Sequence, residues 1–269
     1  MGVPTDYEGT IFQPDHKARI VSLVPSLTEL VFDLGLGSHL VGRTHYCVHP
    51  ADKLAAVPSL GGTKKIKMDR LAEVRATHVL VNVDENPKEL AAEIAATGCK
   101  VVVTHPNTPQ DNPDLYRLIG ALFGAEAAAA EMCDRFDQAL ADLKRAAENA
   151  PAKRVLYLIW KDPWMTISQD TYIARTLDLI NWQTVGGDPA NRYPEVDMAA
   201  SLPDTDLVLF STEPYAFTDA DLVEFQQEFS HTQALLIDGE MTSWYGSRAI
   251  RGLAYLRDYL AKSATYNSI

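Results

Sequence analysis

Between Asn112 and Asn149 the chain carries only two glycines, Gly120 and Gly124, and no proline beyond Pro113. Ala, Leu, Glu, Asp, Lys and Arg dominate, so little in this stretch breaks a helix. Leu115, Leu118, Ile119 and Leu122 share one helical face. After Gly124 a second helix carries Ala127, Ala130, Met132, Phe136, Leu140 and Leu143. At roughly 25 residues and helical rise it reaches about 35–40 Å. The AEAAAAE tract inside it is low in complexity but is strong helix former, not a disordered run. A rod of this length leaves the chain on either side of it to build its own core.

Both flanks show the same rhythm of short apolar runs separated by helical patterns. On the N-terminal side Ile20–Val24, Leu40–Gly42, His78–Val83 and Lys100–Thr104 read as strands. A helix opens at Pro25, capped by Ser26 or Thr28, with Leu27, Leu30, Val31 and Leu34 on one face, and Gly35 and Gly37 end it. Helical patterns also cover 68–76 and 87–97. On the C-terminal side strands are expected at 154–160, 164–167, 207–211 and 234–238, with helices at 170–180, 219–229 and about 243–262. Short apolar strands alternating with helices point to parallel sheets covered on both faces. The expected fold is therefore α/β: two Rossmann-like lobes with parallel sheets joined by a single long backbone helix. The boundaries fall at 1–105 for the N-terminal lobe, 106–152 for the connecting helical backbone and 153–269 for the C-terminal lobe.

The chain has 269 residues, 46% of them hydrophobic, enough for sizeable cores. Its formal charge of −12 repels phosphate backbones and anionic lipid, which argues against nucleic acid and membrane surfaces as partners. No stretch approaches the ~18 apolar residues that span a bilayer. Met1–Lys17 is polar and lacks a basic segment followed by an apolar one. As written the chain is expected to be cytoplasmic; a processed chain whose leader had been removed would be periplasmic and look the same. Three cysteines, Cys47, Cys99 and Cys133, do not make a disulfide framework, and the last two read as core filling.

In parallel α/β layers ligands bind beyond the carboxyl ends of the strands. Three of the four tryptophans, Trp160, Trp164 and Trp244, fall in those loops, with Tyr46, Tyr193, Tyr215 and Tyr245. The cations Arg43, Lys64, Arg192 and Arg248 fall there too, as do Lys65, Lys161 and the acids Glu213 and Glu240. Aromatic walls with convergent charges describe a pocket for a large, ring-bearing, partly anionic ligand. The competing reading is that these side chains anchor loops.

His45, Cys47 and His49 are spaced by two, which on an extended chain turns all three toward one face. Such a trio suits Zn, Cu, Fe or Co, with Glu213 or Glu240 as a fourth ligand. Catalysis has weaker support. Trp244-Tyr245-Gly246-Ser247 is not a nucleophile elbow, and no glycine-rich run reads as a P-loop or a dinucleotide fingerprint. No catalytic residue is assigned.

The stretches Thr5–Thr10, Arg19-Ile20-Val21-Ser22-Leu23-Val24-Pro25-Ser26-Leu27-Thr28-Glu29-Leu30, Leu34–Gly37, Val41-Gly42-Arg43 and Gly61-Gly62-Thr63 carry a resemblance. Together with the helical connector they are similar to the class III, helical-backbone solute-binding proteins for cobalamin and ferric siderophores. Cys47-Val48-His49-Pro50, Leu158–Met165 and Asp238-Gly239-Glu240-Met241 through Arg248 resemble the subset known as helical-backbone metal receptors.

The resemblance implies a non-catalytic protein, acting as a monomer, that grips a metal chelate in a cleft between its lobes: a corrinoid, a tetrapyrrole or a ferric siderophore. It also implies modest closure, because one long helix hinges less than several strands. Which metal or chelate is bound stays open. An ABC permease is the implied partner, met by an acidic residue on a surface helix of each lobe. Asp69 matches the first position, and Asp197 stands about one residue from the second. A cytosolic carrier or sensor of a bare metal ion, and an enzyme working in the same cleft, are the alternatives.

Overall fold

The structure is a computed structural model and describes residues 3–266. The chain forms two compact units. The first takes the chain up to Pro106 together with Gln110–Phe136 and Tyr245–Arg248; the second takes Asn107–Pro109, Asp137–Trp244 and the chain from Ala249.

In the first unit the elements run β1 (Ile20–Ser22), α1 (Pro25–Asp33), β2 (Leu40–Thr44), α2 (Ala51–Leu54), β3 (Ser59–Gly61), α3 (Met68–Glu73), β4 (His78–Asn82), α4 (Lys88–Ala96), β5 (Lys100–Thr104) and α5 (Asn112–Phe123). They build a five-stranded sheet of order β3-β2-β1-β4-β5, parallel at every pairing. All residues of β1 and β4 are buried, because helices must cover both faces of such a sheet. Val21, Leu23, Val79, Val81, Leu90 and Ile94 form the centre of one packed layer, each buried side chain contributing roughly 1.5–3 kcal/mol. The N-terminal residues close the open edge of β5. Asp6 Oδ2 accepts from Val103 N at 3.0 Å, and its Oδ1 accepts from Glu8 N at 3.1 Å and Thr10 N at 2.9 Å.

The helix α6 (Glu126–Ala147) has 22 residues. Ala129, Met132, Cys133, Phe136, Leu143 and Ala147 are buried along it, a three-and-four spacing. Ala129 faces inward where the sequence suggested Ala127 and Ala130, which are exposed. Gly124, with φ of 80°, sits in the left-handed region that ends α5.

In the second unit the order is β6 (Lys153–Leu158), α7 (Tyr172–Asp178), β7 (Trp182–Thr184), α8 (Met198–Ser201), β8 (Leu207–Ser211), α9 (Asp219–Glu228), β9 (Ala234–Ile237), α10 (Gly239–Ser243) and α11 (Arg248–Tyr266). Four parallel strands run β7-β6-β8-β9. Leu156, Leu158, Val208, Phe210, Phe217 and Phe225 hold one face. The α/β class, the two parallel sheets and the long helix are as the sequence led us to expect.

Several local expectations are corrected. The 164–167 run makes only isolated bridges, Trp160 to Met165 and Met165 to Glu195, so it is a hairpin flap and not a sheet strand. The last helix is two, α10 and α11, separated by Trp244–Ser247. Neither Ser26 nor Thr28 caps α1: Val24 is its N-cap, without a side-chain bond, and Pro25 occupies the first turn. Among the described residues no helix is long and apolar enough to cross a membrane.

Candidate ligand-binding loops

In the first unit the loop after β2 leaves Tyr46 56% exposed, its ring 4.1 Å from that of His45. Arg43 points elsewhere. Its Nη1 donates to the carbonyls of Thr44 at 3.0 Å and Cys47 at 3.2 Å, so it holds its own loop. Lys64 is exposed, and its Nζ donates to the Asp84 carbonyl at 3.3 Å. Asp84 Oδ2 lies 3.4 Å from His105 Nε2. Asn86 ties three loops by donating to the carbonyls of Leu23 and Thr63 and accepting from Asn82 N.

The residues Tyr245–Arg248 complete this unit. Tyr245 OH donates to Glu85 Oε1 at 2.9 Å, and burial, with the charge of Glu85, pushes its phenol well above the usual range. Gly246 N donates to Asn112 Oδ1 at 2.6 Å, and its carbonyl accepts from Tyr116 OH at 2.8 Å. Arg248 meets Glu29 in a two-pronged pair, Nε to Oε2 at 2.7 Å and Nη2 to Oε1 at 3.0 Å, both side chains under 8% exposed. Arg248 and Tyr245, read from the sequence as ligand contacts, are thus engaged by the protein itself.

The His45, Cys47 and His49 set does not gather. Strand β2 stops at Thr44 and the chain turns at His45–Tyr46, so the extended spacing on which the trio depended is lost. Cys47 swings inward, 1% exposed, where Thr28 Oγ1 donates to its sulfur at 3.0 Å and Thr44 Oγ1 lies at 3.2 Å. Burial pushes its thiol pKa up despite those hydrogen bonds. Among the described residues no three His, Cys, Asp or Glu side chains form a metal-ligating group.

In the second unit Trp160 is 41% exposed at the end of β6, and Tyr215 meets its ring edge-on at 5.5 Å and 77°. Behind them Tyr215 packs on Phe217, and Phe217 stacks with Trp164 at 6.1 Å and 14°. Trp244 is 8% exposed, and its Nε1 donates to Glu213 Oε2 at 2.7 Å. Tyr157 OH sits between Ser211 Oγ and Thr242 Oγ1, and burial pushes it up to about 12. Arg192 Nη2 donates to Asn107 Oδ1 at 3.1 Å. Tyr193 and Glu240 are half-buried. The structure therefore brings Trp160, Tyr215 and Trp164 together through Phe217 and pairs Trp244 with Glu213.

The family model described as "Periplasmic binding protein" matches residues 20–230. The chain belongs to that family.

Several similar proteins carry names that state a ligand. The vitamin B12-binding protein of Pectobacterium carotovorum subsp. carotovorum is 25% identical over 182 residues, 66% of this chain and 65% of that protein. Among solved structures, the periplasmic heme-binding protein RhuT from Roseiflexus sp. RS-1 in apo form superposes with a TM-score of 0.80 at 18% identity, over 92% of this chain and 99% of that one. The periplasmic vitamin B12-binding protein BtuF of Vibrio cholerae gives 0.76 at 18% identity, over 92% and 98%.

Within this chain the sequence reading assigned no role at the site to Glu29, Asn86 or Thr28. For Glu29 a signal existed: a carboxylate flanked by Thr28 and Leu30 inside a helix otherwise buried along Leu27, Leu30 and Val31 needs a cation.

Proposed function

We propose that the chain is a solute-binding protein for a metal chelate, a corrinoid, a tetrapyrrole or a ferric siderophore, held by the aromatic side chains at the carboxyl ends of its strands. The observation that carries this reading is Trp160: a large ring left open to solvent beside Tyr215, at a position where parallel sheets take their ligands. A relative that binds vitamin B12 and a fold neighbour that binds heme support a flat metal chelate as the class. Covering the Trp160 face with such a ring contributes roughly 1–3 kcal/mol.

Titration with cyanocobalamin and with haemin, read by quenching of tryptophan fluorescence, tests the proposal. Trp160→Ala is expected to weaken binding by about tenfold, a difference of 1.4 kcal/mol, with the melting temperature unchanged. If neither of these nor a ferric siderophore, titrated in the same way, bound at micromolar concentration, the reading would fall.

In this reading the protein is a non-catalytic monomer, and recovery of chemically altered chelate after binding would count against it. Its transport partner is an ABC permease reached through Asp69, exposed in the first turn of α3. Asp197 serves the cap of α8 by accepting from Ala200 N at 3.2 Å. A permease-coupled role places the chain outside the cytoplasm, a cytosolic carrier inside it. Fractionation of cells carrying the tagged native chain separates the two.

A further inference from the structure

The loops of the second unit expose aromatic rings but hold little positive charge for a ligand. After β6, β7, β8 and β9 they carry two bases, Lys161 and Arg192, against Asp162, Asp170, Asp188, Glu195, Asp197, Glu213 and Asp238, with Glu240 in the first turn of α10. Arg192 is already drawn to Asn107. Lys161, the neighbour of Trp160, is the more telling case. Its ammonium turns to α9, where Glu224 Oε2 lies at 2.6 Å and Asp221 Oδ1 at 3.4 Å. Only 18% of its side chain is exposed, and the hydrogen bond to Glu224 raises its pKa further. Lys161, next to the exposed Trp160 along the chain, is therefore matched by two carboxylates.

A negative group brought to these loops meets more acids than bases, and Lys161, the base beside Trp160 in the chain, is already taken. A neutral or positive group meets an aromatic face, which itself favours cations. We infer that these loops select a neutral or cationic chelate over an anionic one, and that Glu224 sets this preference by holding Lys161. Glu224 acts through Lys161, as a positioning residue. The inference rests on the chelate-binding reading and narrows its ligand class: a corrinoid edged with amides fits, whereas a tetrapyrrole with free propionates or a ferric tris-catecholate does not.

Matched pairs of probes isolate charge from shape. Haemin differs from its dimethyl ester by two carboxylates, and cyanocobalamin differs from its monocarboxylic acid by one hydrolysed amide. On whichever scaffold binds, the neutral partner is expected to bind about tenfold tighter than the anionic one, with the ratio shrinking as salt screens the repulsion. Glu224 is exposed on α9, so Glu224→Gln keeps the fold while loosening Lys161. It is expected to raise affinity for the anionic partner by roughly threefold or more and leave the neutral partner within about twofold. An anionic partner that binds as tightly as the neutral one, or a ratio unmoved by Glu224→Gln, overturns the inference alone. Failure of both scaffolds to bind overturns the inference, and failure of a ferric siderophore as well overturns the reading beneath it.

Discussion

Removing one side of the Glu29–Arg248 pair gives the sharpest test of how the first unit is held. Arg248→Met deletes two charge-assisted bonds of 2.7 and 3.0 Å and leaves a carboxylate in a site 7% exposed. Two such bonds are worth about 1.5–3 kcal/mol each, and stripping one partner from a buried pair costs about 3–5 kcal/mol. The two routes agree. With a urea slope of about 2–3 kcal/mol/M, the midpoint of unfolding should fall by about 1–2.5 M. Replacing both residues, Glu29→Leu with Arg248→Met, removes the stranded charge and should recover most of the loss, since apolar substitutes of similar volume are often neutral. Urea titrations followed by tryptophan fluorescence on both single variants and the double variant supply the comparison. A single variant costing under about 1 kcal/mol, or a double variant no better than the single, would refute the argument that the pair is an anchor.

Three further outcomes follow from the geometry. Cys47, with its thiol pKa raised by burial, should resist a disulfide reagent in the folded protein while half-buried Cys99 reacts first; peptide mass mapping that found Cys47 labelled as fast as Cys99 would contradict this. His78 is fully buried and its pKa is lowered to about 4, chiefly by burial. The unfolded chain takes up that proton near 6.5, so the stability it contributes is present above pH 6.5 and is lost as the pH falls toward 4, by up to about 3 kcal/mol. His78→Leu should flatten that acid limb in stability measured against pH, and an unchanged slope would argue against His78 as its source. Gly239→Ala would set a methyl 2.5 Å from Ser211 Oγ and 2.7 Å from Glu213 N, so it should destabilise by about 1–3 kcal/mol, read as a lower melting temperature.

The sequence made the sheets legible because their strands are continuous apolar runs: Lys100–Thr104 and Leu207–Ser211 were bounded to the residue. It hid β3 and β7, of three residues each, because neither belongs to a longer apolar run, whereas β1, equally short, continues into Leu23 and Val24. The site was legible only in part. Loop position identified Trp160 and Tyr215, whose rings do meet. It had no means of showing that Arg43 folds back on its own carbonyls or that Arg248 lies opposite Glu29. A cation's partner is a property of three-dimensional packing, and the partner here lies 219 positions away along the chain.

That separation has a consequence for synthesis. Glu29 is polymerised first, and its guanidinium partner arrives only after 219 more residues. At about 5–20 residues per second, the carboxylate waits on the order of 10–45 s on the ribosome. Asn112 and Tyr116 wait likewise for Gly246, 134 and 130 positions later. The N-terminal half thus emerges with its sheet already encoded but its last four residues not yet made. A nascent chain of this protein stays open to chaperones until Tyr245–Arg248 have been made.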